Sequence, residues 1–190
     1  MEKHLFERQI ENRAKKAKEN HSILYHGTSF NVLKKILKEG QLIPQGSRGS
    51  RAMESSWQTY REEDYYGKVF LSDNLYISAE YSMLVTAKNG EYDEENDLYV
   101  IMGIEVNEEE LLPDLMDAPC AKTWEESLEH CNHVAKIGYI PKEQFRYLLI
   151  YDGWYNQVKF VELDNWEEVY IRELKKHQKK RKREKIKSTH

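Results

Sequence analysis

Cysteine is nearly absent: Cys120 and Cys131 are the only two in 190 residues, and they form no CxxC pair. That excludes a disulfide framework and a four-cysteine zinc site, and two thiols suit a reducing, cytoplasmic setting. Long apolar runs are also missing. No stretch approaches the ~20 apolar residues of a membrane span. The opening MEKHLFERQIENRAKKAKEN has no apolar core of signal-peptide type, so no membrane partner is expected. A Gly-rich phosphate loop, HExxH and GxSxG are all absent, which argues against P-loop, zinc-peptidase and α/β-hydrolase chemistry. No internal repeat is found.

What is present is the composition of a folded chain. Hydrophobic residues make up 39%, and 13 Tyr and 4 Trp are far too many large rings for a disordered sequence. The length suits one domain with tails. Residues 3–20 place Leu5, Phe6, Ile10 and Ala14 on one narrow stripe, the pattern of a surface amphipathic helix. SILYHG reads as a strand. SFNVLKKILKEG reads as a helix with Val32, Leu33, Ile36 and Leu37 inward, Ser29 as N-cap and Gly40 at its C-terminus. Residues 44–66 have no lasting period and read as a long loop. GKVFLSD is a second strand, followed by a helix over NLYISAEYSMLVTAKNG with Ala79, Met83 and Leu84 inward. LYVIMGIEV has the β-branched, apolar character of a central strand. A short helix around Trp124 to His130 and three strands, HVAKIGYI, FRYLLIYDG and VKFVEL, precede a C-terminal helix and tail. Helices early and strands late give an α+β class with a mainly antiparallel sheet.

Two of these turns carry the candidate chemistry. LYHGTSFNVLKKILKEG, followed some thirty residues later by GKVFLSDNLYISAEYS, resembles the first two motifs of the ADP-ribosyltransferase superfamily. The branch is that of diphtheria toxin and the poly(ADP-ribose) polymerases, with a His-Tyr-acid site. The resemblance covers residues 22–165. It implies split antiparallel β-sheets with flanking helices; the amphipathic first helix (1–21) and the basic C-terminal tail (173–190) lie outside it, so the expected organisation is helix, transferase domain (22–172) and tail. It also implies NAD as co-substrate and mono-ADP-ribosyl transfer to a macromolecule.

By that resemblance, main-chain groups of Gly27 hold the nicotinamide carboxamide, because a residue without Cβ lets the backbone approach a flat ring. His26 bonds the adenosine ribose, with Thr28 or Ser29 assisting at the same sugar. Ser78 bonds the carboxamide and Tyr81 stacks on the ring. Phe70 stands where the polymerases often carry tyrosine. The family's third element is an acid near the start of a late strand. Here EHCNHVAKIGYIPKEQFRYLLIYD offers Glu143, slightly ahead of Glu129, while His133 or Asn132 occupies the position where the acid is expected. His133 can bond a ribose hydroxyl but is no fixed negative charge. Adjacent residues of HCNH point to opposite faces of a strand, so no metal site is expected.

Charge is distributed unevenly. Lys175 to Lys187 hold nine Lys or Arg against one Glu, so with an overall charge of −4 the remaining residues carry −12. Such a run is too like-charged to fold on its own and reads as a handle for phosphate backbones, as a solvated or intramolecularly engaged helix end, or as a contact for an acidic protein or membrane surface. Lys179, Lys180, Arg181, Lys182 and Arg183 are its centre; Arg48 and Arg51, near Trp57 and Tyr60, are candidate contacts in the long loop. RNA or DNA is therefore the expected acceptor, in the manner of bacterial toxin or defence transferases, with an antitoxin or other protein as a further partner. Two alternatives stay open: a non-catalytic module with an NAD-like pocket, and RNA 2′-phosphotransfer. Removal of residues 175–190 is expected to weaken nucleic-acid binding and flatten its salt dependence; unchanged binding in a salt titration would remove the tail as the handle.

Overall fold

The computed structural model describes residues 23–44, 66–88, 90, 98–152 and 158–188. The expected first helix, most of the long loop with Arg48 and Arg51, and the acidic turn after position 90 lie outside them.

Among the described residues, nine strands and four helices follow in the order β1 (Ile23–Thr28), α1 (Phe30–Glu39), β2 (Gln41–Leu42), β3 (Lys68–Ser72), α2 (Leu75–Lys88), β4 (Leu98–Glu105), β5 (Leu111–Pro113), α3 (Trp124–Cys131), β6 (His133–Ile137), β7 (Ile140–Pro141), β8 (Phe145–Asp152), β9 (Val158–Val161) and α4 (Trp166–Ser188). Seven strands form one sheet in the order β5-β6-β3-β1-β4-β8-β9, and β2 pairs with β7 beside it. Every pairing is antiparallel. This is the α+β class expected, an antiparallel sheet flanked by helices. The small strands β2, β5 and β7 are additions that short segments such as Leu111–Pro113 do not announce.

β4 is central and buried on both faces, as its unbroken apolar run requires. Its even residues Leu98, Val100, Met102 and Ile104 join the larger core with Leu33 and Ile36 of α1 and Trp166 and Tyr170 of α4. Its odd residues Tyr99 and Ile101 join a smaller, tyrosine-rich core with Tyr25, Tyr147, Tyr151 and Ala79 of α2. α1 starts and stops as its sequence specifies. Ser29 Oγ accepts the Val32 N–H at 3.4 Å, and Gly40, at φ 71°, returns its N–H to Ile36. Phe30 stacks on Tyr170 at 4.2 Å, tying α1 to α4.

α2 departs from expectation. Ala79 is inward, but Met83 and Leu84 are 37% and 58% exposed, and the buried face is made of Ser78, Ala79, Ser82 and Thr86. The reason is proximity: a Cβ built on Gly27 of β1 would lie 1.8 Å from the Ser78 carbonyl oxygen, so only small residues fit between helix and strand. The helix is held there by polar bonds. Ser82 Oγ donates to the Thr28 carbonyl at 2.6 Å and accepts the Val100 N–H at 3.0 Å, and Tyr151 OH donates to the Ala79 carbonyl at 2.6 Å.

α4 also differs. The basic run continues a helix whose first turns are docked through Trp166, Tyr170 and Leu174, and the helix runs unbroken through position 173 to Ser188. Docked turns supply the nucleus that a like-charged segment lacks. No described helix is long and apolar enough to cross a membrane. Ser82→Ala is expected to lower unfolding free energy by about 1–3 kcal/mol in denaturant titration, because it leaves a buried N–H and a buried carbonyl without their shared partner.

Candidate active site

The sheet is continuous on one side of β1 and almost open on the other. Six register pairs join β1 to β4, from Ile23↔Glu105 to Thr28↔Val100, but only Tyr25↔Ser72 joins β1 to β3. β3 itself is fully paired with β6 over Lys68–Ser72. The sheet therefore splits between β1 and β3, just past Tyr25.

The Ser82 bridge reveals which groups face the split. Ser82 Oγ sits between the Thr28 carbonyl and the Val100 N–H, so Thr28 directs its carbonyl toward β4. Main-chain groups alternate sides along a strand, so Tyr25 and Gly27 direct theirs toward β3. At Tyr25 they meet Ser72; at Gly27 the ladder with β3 has ended. Phe70, two residues before Ser72, faces back across the same opening. Its carbonyl is met by a side chain, with His26 Nδ1 at 3.1 Å. A carbonyl only accepts, so Nδ1 carries the proton and Nε2 is left as the acceptor of a neutral ring. Burial pushes the His26 pKa below its ordinary value, favouring that neutral form.

α2 covers the opening. The Ser78 backbone lies on Gly27; Ser78 is 2% exposed, and its hydroxyl is buried with no hydrogen-bond partner among the described residues. Such a group costs free energy unless something else satisfies it. Three residues on, along the same helix face, Tyr81 is 37% exposed and meets the His133 ring edge-on at 5.3 Å between centroids. His133 stands across β6 from Ser72, which stands across β3 from Tyr25, so these three share a row and a face. The structure thus brings Gly27, Ser78, Tyr81 and His133 to one face of the sheet around the split, with His26 reaching into it from β1 and half-buried Phe70 beside it.

Behind His133 is a group that the sequence did not mark out. His133 Nδ1 lies 3.2 Å from Asp117 Oδ2 and 4.0 Å from Asp114 Oδ2, while its Nε2 is buried without a partner among the described residues. Ser127 Oγ donates to the His133 carbonyl at 2.7 Å and accepts the Asp114 N–H at 2.9 Å. Asp114, Cys131 and His133 are the group among the described residues with metal-ligand chemistry, their ligand atoms within 4.8 Å of one another. Asp114 thus supplies, from the preceding loop, a third donor that the HCNH spacing alone did not reveal. These atoms are engaged within the protein, however. Cys131 Sγ donates to the Ser127 carbonyl at 3.2 Å, and burial pushes its thiol pKa up, so it is protonated. Asp114 Oδ1 accepts two main-chain N–H groups. The set is a hydrogen-bonded support for His133. PDLMD and HCNH are short and unremarkable in sequence, and only the fold brings them together.

Thr28 is buried, and Ser29 spends its hydroxyl on capping α1. Glu129 is exposed on α3. Glu143 is exposed in the turn after β7, its carbonyl accepting from Arg146, and β6 carries the chain away from His133 before reaching it. Lys179, Lys180, Lys182 and Arg183 are exposed on α4, with Arg181 partly covered.

No family model and no curated protein matches this chain. Solved structures do. Two mutants of heat-labile enterotoxin, one of them from E. coli, are 18% and 17% identical, cover 78% and 73% of this chain and 80% and 73% of their own, and have TM-scores of 0.46 and 0.45. EcPltA is 11% identical, with 75% and 83% covered and a TM-score of 0.39.

Gly27→Ala is expected to be among the most damaging substitutions in the fold, since the added methyl meets helix backbone, which cannot step aside; an unchanged melting temperature would contradict the packing described. His26 gives a pH signature. Its folded pKa lies below 6.5, so the unfolded chain binds more protons, and stability falls as pH drops through the ordinary histidine range, by at most ~1.4 kcal/mol per pH unit. His26→Gln should remove that part of the dependence in thermal melts run from neutral pH down to about pH 5.

Proposed function

We propose that this chain is an NAD-dependent mono-ADP-ribosyltransferase, splitting the nicotinamide–ribose bond and passing ADP-ribose to a macromolecular acceptor. The observation that carries the reading is the split between β1 and β3, which Gly27 main-chain groups face and over which lies the buried, unsatisfied Ser78 hydroxyl. A primary carboxamide offers a donor and an acceptor side by side, the same pair that a peptide group offers. Nicotinamide can therefore continue at Gly27 the ladder that β3 leaves unfinished, with Ser78 Oγ as a further partner. Tyr81 supplies an aromatic plane for the ring, and Phe70 a second apolar surface. His26, its Nδ1 committed to Phe70, presents Nε2 to a ribose hydroxyl of the adenosine half.

Cleavage of this bond builds positive charge on the ribose, and the neutral nicotinamide leaves with the bonding pair. A site that grips the leaving group in a water-poor gap favours that separation. The acceptor we favour is RNA or DNA, which the exposed cations of α4 would draw in.

A second reading, a binding module without catalysis, is favoured by the exposed positions of Glu129 and Glu143. Nicotinamide release from NAD separates the two, measured with and without added RNA or DNA. Release is expected from the unaltered protein, reduced about tenfold or more in Tyr81→Ala and His26→Ala, the scale of one lost aromatic or hydrogen-bonding contact. NAD binding without release would favour the module. Phosphate transfer seen only with 2′-phosphorylated RNA would favour the phosphotransferase alternative.

A further inference from the structure

The resemblance in sequence offers Glu143 or Glu129 for the family's acid, both exposed, and His133 at the position where the acid is expected. The structure assigns its work to a pair: we propose that His133 is the proton acceptor of the transfer and that Asp117 is its positioning residue. The inference rests on the transferase reading above.

Three observations converge. His133 opens β6 opposite Ser72, one row from the split, and its ring meets Tyr81 of the helix that covers the split. Neighbouring strands are about 4.8 Å apart, so β6 lies roughly 10 Å from β1, a distance that a nicotinamide ring and its ribose together can span. The two ring nitrogens are also differentiated. Nδ1 faces Asp117 Oδ2 at 3.2 Å, which fixes the proton on Nδ1, and Nε2 is buried with no partner among the described residues. Finally, the His133 main chain is clamped by Ser127, which is wholly buried and also holds the segment bearing both aspartates. A carboxylate that orients an imidazole and supports its charged form, with the far nitrogen aimed away, is the arrangement of a general base. Titratable groups facing this imidazole are Asp114 and Asp117 from the loop before α3, Cys131 from α3 and Tyr81 from α2.

The step balances without an added reagent. The bond between ribose C1′ and the nicotinamide nitrogen breaks, and its electron pair neutralises the ring cation. An acceptor hydroxyl oxygen forms the new bond to C1′, and its proton passes to His133 Nε2. The imidazolium, held beside Asp117, then returns the proton to solvent. Negative charge near the ribose comes from Asp117 through the ring, where a carboxylate placed at the sugar would supply it directly.

The test uses the full chain, with NAD as probe and water, RNA or DNA as acceptor. NAD binding is followed by calorimetry and turnover by nicotinamide release. His133→Ala is expected to bind NAD as the unaltered protein does, to lose about 10²–10⁴-fold in turnover, and to recover part of it when free imidazole is added. Because His133 is buried and its removal can unsettle β6, Asp117→Asn serves as the second variant. Its side chain is 39% exposed. It is expected to keep its melting temperature and KM while kcat falls about tenfold or more. Undiminished turnover in His133→Ala, a loss that imidazole does not relieve, or an Asp117→Asn effect confined to KM each overturns the assignment. Failure of the unaltered protein to cleave NAD overturns the transferase reading itself, and this one with it.

Discussion

The contact on which the rest depends is the seating of α2 on β1 at Gly27. Helix backbone and strand backbone approach so closely that no side chain can lie between them. This dictates a helix whose buried face is serine, alanine and threonine, and it leaves apolar side chains such as Leu84 outside. The hydrophobic effect alone would turn that helix over. Two devices hold it: the Ser82 hydroxyl, inserted into the β1–β4 ladder, and the Tyr151 hydroxyl on the Ala79 carbonyl. Polar bonds in a dry place do here what apolar burial does elsewhere in the fold.

The same seating organises the site. Ser78 is brought onto Gly27, and Tyr81, one turn further along, reaches His133 on the other half of the sheet. One helix thus spans a sheet that has come apart beneath it. The His26 ring closes part of the gap by donating to the Phe70 carbonyl, and the β1–β3 ladder has ended by Gly27. A complete ladder would be more stable and would have nothing to offer a ligand. The support behind His133 follows a similar logic, in which Ser127 fixes both the strand that carries the imidazole and the loop that carries its carboxylates.

Much of this was legible in the sequence where a local rule applied. Ser29 and Gly40 bracket α1 as caps, β4 reads as a central strand, and YHGTS and SAEY fall on the expected strand and helix. What stayed hidden depends on contacts distant in sequence. The inversion of α2 could not be read from its own residues, because the cause is a glycine fifty positions earlier in the chain. Asp117 belongs to no motif the sequence marks out; only the antiparallel return of β6 sets it against His133. The small strands pair two or three residues each, too few to leave a period. The glycine at position 27 was expected to serve a ring, and its first duty is to the backbone of α2.

One feature bears on how any bound macromolecule would be presented. Docked and basic turns of α4 belong to a single helix of 23 residues, roughly 35 Å of continuous rod. A tether of free chain would do no more than raise local concentration around the domain. Charges mounted on a rod anchored by Trp166 and Tyr170 keep a set bearing and height relative to the sheet. Were a long polyanion bound there, they would act as a ruler, fixing which part of it comes level with the split and which is held away from it.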